Sequence, residues 1–351
     1  MLRTQSEAPG PKPEAPAPET FIHTHKMRII LPTLIILTFL LFSLDIALGS
    51  TSIPLPQVWA ALTGGECPQA VARIVVNIRL IKAIVALLAG AAVSVSGLQM
   101  QTLFRNPLAG PYVLGISSGA SLGVAVFLLG SPLFGLSPAM SSLGIAGAAW
   151  IGSAAVLLIV GALASRIKDI MVLLILGMMF SSGISAIVQI LQYLSRDESL
   201  KAFVIWTMGS LGDVTMSQLW ILLPAVAAGL MLAVITIKPL NLLLFGEEYA
   251  RTMGLHIKRS RSLLFLSTTL LAGTVTAFCG PIGFIGLAMP HVTRMLFRTS
   301  DHRILVPGTV LTGAAVLLLC DIISKLLTLP INSITALLGI PVVILVVLKT
   351  K

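Results

Sequence analysis

Runs of about 20 apolar residues recur along almost the whole chain, and this pattern limits the possible folds more than any other feature. The 351 residues are 56% hydrophobic and only 10% charged, whereas soluble domains carry about 25% charged residues. Long apolar runs also differ from the alternating pattern of an outer-membrane barrel. The sequence therefore predicts an all-α polytopic membrane protein.

About ten transmembrane helices are predicted, with boundaries good to a few residues. An even number of spans puts both termini on one side. When that side is the cytoplasm, 17 of the 23 Lys and Arg residues lie inside, as the positive-inside rule expects. Residues 28–351 then form the transmembrane domain, and residues 1–27 are predicted to be a disordered, Pro-rich cytoplasmic tail. The predicted spans cover residues 28–49, 79–102, 112–131, 143–164, 171–194, 217–237, 262–279, 282–298, 304–326 and 332–348.

Small residues at helical spacing predict that several spans pack closely. Gly115, Gly119 and Gly123 form a G-x-x-x-G-x-x-x-G ridge, and Gly90 and Gly97 lie on one face of the second span. The sequence therefore predicts a packed bundle of helices.

Three shorter features lie between or within the spans. Residues 55–63 predict a short surface helix, and the segment KAFVIWTMGSLG (201–212) is too short to cross a membrane. We expect the second segment to be a re-entrant or interfacial helix. The pair Gly280-Pro281 predicts a break between the seventh and eighth spans.

The fifth predicted span carries a polar stripe. Its residues are spaced four, three, four and three positions apart, so they share one helical face. Polar side chains inside a membrane face the bundle interior or a water-filled path. Two interpretations stay open, which are hydrogen bonding between helices and the lining of a translocation path for a bulky ligand. The stripe consists of Met178, Ser182, Ser185, Gln189 and Gln192.

Residues 238–261 are the longest polar interruption after the tail, and their charges exclude them from hydrocarbon. Within this loop, residues 246–254 predict a short helix with two acidic residues in its first turn. Glu247 and Arg251 are four residues apart and can pair, and Gly254 is placed to end the helix. The segment is either a solvated connector or a contact surface for a soluble partner.

The chain lacks the sequence motifs of several functional classes. The chain has no G-x-x-x-x-G-K-[ST] phosphate loop and no H-E-x-x-H metal motif. Its three Cys residues lie far apart, so no disulfide, metal site or cofactor is predicted. The net charge of +10 follows from basic loops on one side and does not indicate nucleic-acid binding. Asp321 and Lys325 predict an ion pair near the outer end of the ninth span, with Lys325 reaching outward.

Five stretches resemble the FecCD-type permeases, which are the membrane subunits of type II ABC importers for ferric siderophores, haem and vitamin B12. The similarity runs from about residue 50 to the C-terminus. The matching stretches are RLIKAIVALLAGAAVSVSGLQMQTLFRNPLAGPYVLGISSGA (79–120), WTMGSLG (206–212), LLFGEEYARTMGL (243–255), GPIGFIGLAMPHVTRMLFRTSDHRILVPG (280–308) and LPINSITALLGIPV (329–342).

The resemblance implies a set of partners in the cytoplasmic (inner) membrane. These are a second permease subunit, expected as a homodimer with the path at its interface, and two ATP-binding subunits on the cytoplasmic side. A periplasmic or lipoprotein substrate-binding protein would dock outside. The chain itself is not expected to be an enzyme, because ATP hydrolysis belongs to the separate subunit.

The resemblance also assigns roles to residues. The family's coupling helix, which contacts the ATPase, corresponds to Glu247, Glu248, Arg251, Met253, Gly254 and Leu255. The residues that receive the binding protein correspond to Arg79, Lys82 and Lys325, where two lysines replace the usual arginines and weaken bidentate pairing. Asn106 and Leu108 correspond to the inner gate, and the fifth span to the pore-lining helix.

The expected cargo is an iron chelate, either a ferric siderophore or haem, because iron transporters are the more numerous members of the family. Vitamin B12 is the alternative. A secondary carrier acting without an ATPase is a less favoured class, and an intramembrane enzyme is disfavoured because no catalytic constellation is present.

Overall fold

Every regular element in the computed structural model, which describes residues 18–130, 142–167 and 169–349, is a helix. Two π-helical turns, Val75–Leu80 and Thr269–Gly273, each join two α-helices, and a third, Val126–Gly130, continues the α-helix that ends at Ala125. The α-helices are α1 Pro18–Ala47, α2 Leu55–Thr63, α3 Gln69–Ile74, α4 Ile81–Leu103, α5 Ile116–Ala125, α6 Ser142–Arg166, α7 Ile170–Tyr193, α8 Asp197–Thr207, α9 Met216–Ile235, α10 Ile237–Leu243, α11 Glu247–Thr252, α12 Ile257–Thr268, α13 Thr274–Cys279, α14 Ile285–Phe297, α15 His302–Leu327 and α16 Ile331–Lys349.

The predicted all-α polytopic fold is confirmed, and each of the ten predicted spans coincides with a helix. Within the described residues, 7 helices are long and apolar enough to cross a membrane. The third and tenth predicted spans are the shorter apolar helices Ile116–Gly130 and Ile331–Val346, and the eighth is the 13-residue α14. The seven long helices are Ile29–Ala47, Gln69–Leu103, Gly144–Leu163, Ile170–Tyr193, Met216–Ile235, Ile257–Cys279 and His302–Leu327.

Two helices begin earlier in the chain than the predicted spans. α1 begins at Pro18, so residues 18–27 of the predicted disordered tail are helical, while residues 1–17 lie outside the described residues. Proline is favoured in the first turn, and an apolar helix extends readily into a preceding segment without further proline. The second span begins at Gln69 and not at residue 79. Polar residues between 73 and 79 lower the hydropathy there without ending the helix.

The two predicted short helices and the predicted break are present. The surface helix spans Leu55–Thr63, and the segment after the fifth span forms the short helix α8. The Gly280-Pro281 pair separates α13 from α14, and Gly280 has a positive φ of 74°. These breaks explain why α14 is too short to count among the long spans.

α4 lies at the centre of the bundle, and every residue from Ala89 to Leu103 is buried. It packs against α15 and α14 through pairs of glycines, as the spacing of small residues predicted. A Cβ atom added at Gly90 would overlap with the carbonyl of Gly313, and one at Gly97 would overlap with the carbonyl of Gly286. The backbones therefore approach as closely as glycine allows.

α4 and α15 run antiparallel and define two ends of the bundle. At one end, Thr102 Oγ1 lies 2.8 Å from His302 Nε2, and we call this the His302 end. At the other, Lys82 Nζ lies 3.0 Å from Asp321 Oδ1, and we call this the Asp321 end. The polar loop belongs to the His302 end, because Asn241 of α10 hydrogen bonds to the Asp301 carboxylate at 2.7 Å.

Candidate functional site

The short helix predicted in the polar loop is present as α11. Gly246 precedes it with φ of 100°, and Gly254 follows it with φ of 83°. Both values lie in the region that glycine adopts without strain. One glycine on each side of α11 therefore turns the chain sharply, and the helix projects from the His302 end as a separate short unit.

Glu247 holds α11 against α12, but its partner is not the predicted one. Its carboxylate accepts hydrogen bonds from Arg261 Nη2 at 2.6 and 2.7 Å and from Arg261 Nε at 2.9 Å. Arg261 also donates to the Ile167 carbonyl at 3.1 Å. The planar guanidinium matches a carboxylate bidentately. The buried Arg261 therefore replaces the exposed Arg251 as partner, and the predicted Glu247–Arg251 pair is wrong.

The opposite face of α11 is turned to solvent. The Glu248 side chain is 89% exposed and lies 3.6 Å from Arg251, whereas the Glu247 side chain is only 20% exposed. Three large apolar side chains beside these charges are also exposed: Phe245, Tyr249 and Met253. Apolar groups with a charged rim are typical of a protein contact surface. We call Phe245, Glu248, Tyr249, Arg251 and Met253 the α11 surface.

The polar stripe of α7 lies on a face that the described chain leaves uncovered. Met178, Ser182, Ser185 and Gln189 are exposed, and Gln192 is half-buried. The buried residues of α7 occupy a different face: Leu173, Leu174, Gly177, Ile184 and Val188.

The stripe hydroxyls make their hydrogen bonds within their own helix. Ser182 Oγ donates to the Met178 carbonyl at 3.0 Å, and Ser185 Oγ donates to the Ser181 carbonyl at 2.8 Å. These two hydroxyls therefore do not bond to another helix of the described chain. Of the two interpretations of the stripe, this arrangement favours the lining of a path over hydrogen bonding between helices of the described chain.

The predicted gate residues form a tight turn after α4. Arg105 has a positive φ of 47°, and Asn106 Oδ1 accepts a hydrogen bond from the Leu108 N–H at 2.9 Å. His291 Nε2 of α14 lies 2.7 Å from the Pro107 carbonyl. Asn106 thus shapes the turn, and Leu108 is left exposed at its tip.

The gate turn and the α7 stripe meet in one open cleft of about 590 Å³. Leu108 lines it from the turn, and Met178 and Ser182 line it from α7. The fold thus brings together two elements about 70 residues apart: the turn that the resemblance assigns to the gate, and the stripe for which a path lining is one of two interpretations. The rest of the stripe, Ser185 to Gln192, continues along α7 beyond this cleft, away from the gate turn.

The predicted docking residues are placed differently from the expectation. Arg79 is buried, and its guanidinium donates to the carbonyls of Ile46 and Ala47, at 3.2 and 2.8 Å, and of Thr51. The carbonyls at a helix C-terminus lack partners within the helix and attract a cation. Arg79 therefore caps α1 and does not present its charge outward.

Lys325 forms the predicted ion pair with Asp321 at 2.8 Å, but the expectation that it reaches outward is wrong. Its side chain is 7% exposed, and its ammonium also bonds to Asp45 Oδ1 at 2.8 Å. Lys82 joins from the other side of Asp321 and is 19% exposed. Lys82 is thus the most accessible of the three predicted docking residues. The sequence itself carries a signal for Asp45, since a carboxylate in an apolar span needs a partner.

The described residues contain no group of three or more His, Cys, Asp and Glu side chains that could hold a metal ion.

Comparison with known proteins gives a consistent result. A model of the FecCD transport family matches residues 35–349. The hemin transport system permease protein HmuU of Yersinia pestis is 35% identical over 92% of this chain and 96% of its own length. The vitamin B12 import system permease protein BtuC of Klebsiella pneumoniae is 38% identical over 91% and 92%. Among solved structures, a metal-chelate type ABC transporter in an inward-facing conformation superimposes with a TM-score of 0.80 at 29% identity, covering 91% of this chain and 99% of its own.

Proposed function

The chain belongs to the FecCD transport family, and from this membership we propose that it is the permease subunit of an ATP-driven importer that carries an iron chelate across the cytoplasmic membrane. The chelate is a ferric siderophore or haem. Relatives that are permeases for hemin and for vitamin B12 support the importer class about equally. Vitamin B12 is the alternative cargo.

The observation that carries the proposal is the α11 surface. α11 is fixed to the bundle by the Glu247–Arg261 ion pair, while Glu248, Arg251 and Met253 face away from it. A rigid helix with an exposed apolar and charged face is suited to transmit a push from a soluble protein. We assign this contact to two ATP-binding subunits, one beneath each permease.

The α7 stripe supports a second permease subunit. Its polar residues lie uncovered on a span with mean hydropathy of 2.3, where contact with lipid would be unfavourable. A second copy facing this stripe would enclose a polar path between two α7 helices. We therefore assign a homodimer with the path at its interface and the cleft at Leu108 as its inner gate.

A substrate-binding protein would dock at the Asp321 end. Lys82 is the residue there that retains partial exposure. Arg79 and Lys325 hold α1 in place, so they would support this surface from below. An acidic partner would thus find a weaker basic patch than three exposed charges would offer.

The mechanism follows from this arrangement. ATP binding would close the two ATPase subunits and move α11 with its anchor α12. That movement would alternate the opening of the path at the gate turn and at the opposite end. No covalent chemistry occurs on the permease itself.

A mild-detergent pull-down of this chain from its own membranes tests the proposal. The expected result is a complex with an ATPase of similar abundance that hydrolyses ATP. Uptake assays with a labelled ferric siderophore, haem and cobalamin would then rank the cargoes. A chain that purifies without an ATPase under several detergents would favour a carrier acting alone. Uptake of cobalamin alone would make vitamin B12 the cargo.

A further inference from the structure

A chain of hydrogen bonds connects α10, which leads directly into α11, with the last turn of α4, which leads directly into the gate turn. The chain is part-buried at Asn241 and Asp301 and buried at His302 and Thr102. Its members are Asn241, Asp301, His302 and Thr102. We call these four residues the His302 relay. Asn241 and His302 were not among the predicted site residues, and the relay lies apart from the cleft and from the α11 surface.

Asn241 uses both ends of its amide. Nδ2 donates to Asp301 Oδ1 at 2.7 Å, and Oδ1 accepts from the His302 backbone N–H at 2.9 Å. The same Oδ1 lies 2.8 Å from His302 Nδ1. One side chain of α10 is therefore bonded to three groups at the start of α15.

The charge of Asp301 fixes the orientation of this amide. Partial burial raises the pKa of the Asp301 carboxyl, but hydrogen bonds from the Arg303 N–H and from Asn241 outweigh burial and hold the pKa below its usual value. A carboxylate accepts only, so Asn241 Nδ2 must face it. Oδ1 then faces His302, and His302 Nδ1 carries a proton.

His302 passes the connection on to α4. Its ring is fully buried, and Nε2 lies 2.8 Å from Thr102 Oγ1. Apolar side chains pack together at this end of the bundle. They are Leu98, Leu305, Val306 and Ile237 of α10. The His302–Thr102 contact is buried, so its loss cannot be replaced by a bond to solvent.

Thr102 lies three residues before Arg105, the first residue of the gate turn with a positive φ. The gate turn is also tied to this part of α4, because the Asn106 N–H donates to the Gln101 carbonyl at 3.1 Å. A displacement of α10 would therefore reach the gate turn through the His302 imidazole, in addition to the apolar contact of Ile237 with the cluster that contains Leu98.

We propose that His302 is a positioning residue that transmits movement of α10 and α11 to the gate turn at Arg105–Leu108. The inference rests on the proposed importer function, in which α11 receives the push from the ATPase. When the relay is broken, the complex should still hydrolyse ATP, but the gate should no longer move in response. A residue that only stabilised the fold would lower both together.

The test measures access to the gate in the complete complex with its ATPase subunits. Leu108→Cys supplies an exposed thiol at the gate, and Cys67→Ser removes the partly exposed native thiol, since Cys279 and Cys320 are buried. The labelling rate with a polar maleimide is compared without nucleotide and with ATP plus vanadate. We expect the rate to change by about fivefold or more, the scale of ordinary coupling between sites.

Two relay variants and one control decide the outcome. His302→Asn keeps a donor towards Asn241 and loses the contact with Thr102, and Thr102→Val loses the hydroxyl alone. Both should abolish the nucleotide-dependent change in labelling while the complex still hydrolyses ATP. Thr312→Val removes a comparable buried hydroxyl of α15, bonded to Thr293 at 2.7 Å, and should preserve the change.

Retention of the labelling change in both relay variants would overturn the inference, as would an equal loss in Thr312→Val. If His302→Asn does not assemble, Thr102→Val decides alone. A parent complex whose labelling is the same in both nucleotide states would instead overturn the assigned gate, and with it the inference. If the labelling rate depends on nucleotide in the parent complex and in both relay variants, the importer function stands and only the role of His302 is removed.

Discussion

Glu247 and Arg261 are joined by a bidentate ion pair in which Arg261 Nη2 lies 2.6 and 2.7 Å from the two carboxylate oxygens. The pair connects the first residue of α11 to the second turn of α12. Two ion pairs are seen in the described loop. The Glu247–Arg261 pair is short and mostly buried, whereas the Glu248–Arg251 pair is longer and exposed. The position of α11 therefore depends on Glu247 more than on the exposed charges beside it.

Replacing Glu247 with Gln should loosen α11. It removes a charge-assisted partner of Arg261, at a cost of roughly 1.5–3 kcal/mol. We expect lower thermal stability of the purified permease and a lower ratio of substrate transported to ATP hydrolysed. Thermal unfolding in detergent and uptake in proteoliposomes measure the two effects. A double-mutant cycle with Arg261→Gln should show strong coupling, and additive effects would contradict the pairing.

Charge reversal on the α11 surface should act differently. Arg251→Glu changes a side chain that is 60% exposed, so the thermal stability of the permease should stay the same. The amount of ATPase that copurifies should fall, because the altered charge faces the partner. Quantitative pull-down measures this. Unchanged ATPase recovery and unchanged uptake would count against a coupling role for this surface.

A cysteine scan of α7 should separate the polar path from the lipid-facing side. Ser185→Cys lies on the stripe, and Ile187→Cys is similarly exposed but lies on roughly the opposite side of the helix. A polar, membrane-impermeant thiol reagent should label the Ser185→Cys variant much faster than the Ile187→Cys variant in intact membranes. Equal labelling, or slow labelling of both variants, would show that the stripe does not border water.

The sequence was sufficient for the helices but not for most side-chain partners. Hydropathy and spacing predicted α2, α8, α11 and the glycine contacts of α4, because these depend on local turns and on residue size. Glu247 pairs with Arg261, 14 positions away, and Lys325 binds Asp45, 280 positions away, in addition to its predicted partner Asp321. Helical spacing identifies neighbours three or four residues apart, and it cannot choose between them and a distant group that burial favours.

The ion-pair cluster at the Asp321 end should be a stability element. Lys325→Met leaves the buried carboxylates of Asp45 and Asp321 without their shared cation, which should cost about 3–5 kcal/mol. Adding Asp45→Asn should recover part of the loss, because one uncompensated charge is removed. Thermal unfolding of the single and double variants checks this. A double variant less stable than Lys325→Met would contradict the proposed arrangement.

The glycine contacts of α4 give the most local prediction. A Cβ atom at position 97 would overlap with the Gly286 carbonyl, so Gly97→Ala requires α4 and α14 to move apart. Overpacking of this kind costs about 1–3 kcal/mol and can exceed that range when the obstacle is backbone.

Gly183→Ala on α7 is the matched control, because nothing in the described chain lies within 4 Å of its added methyl group. Alanine is the better helix former by about 1 kcal/mol, so this control should be neutral or stabilising. Yield and thermal unfolding of both variants, purified side by side, measure the difference. Equal stability of the two would mean that α4 and α14 are not in glycine contact.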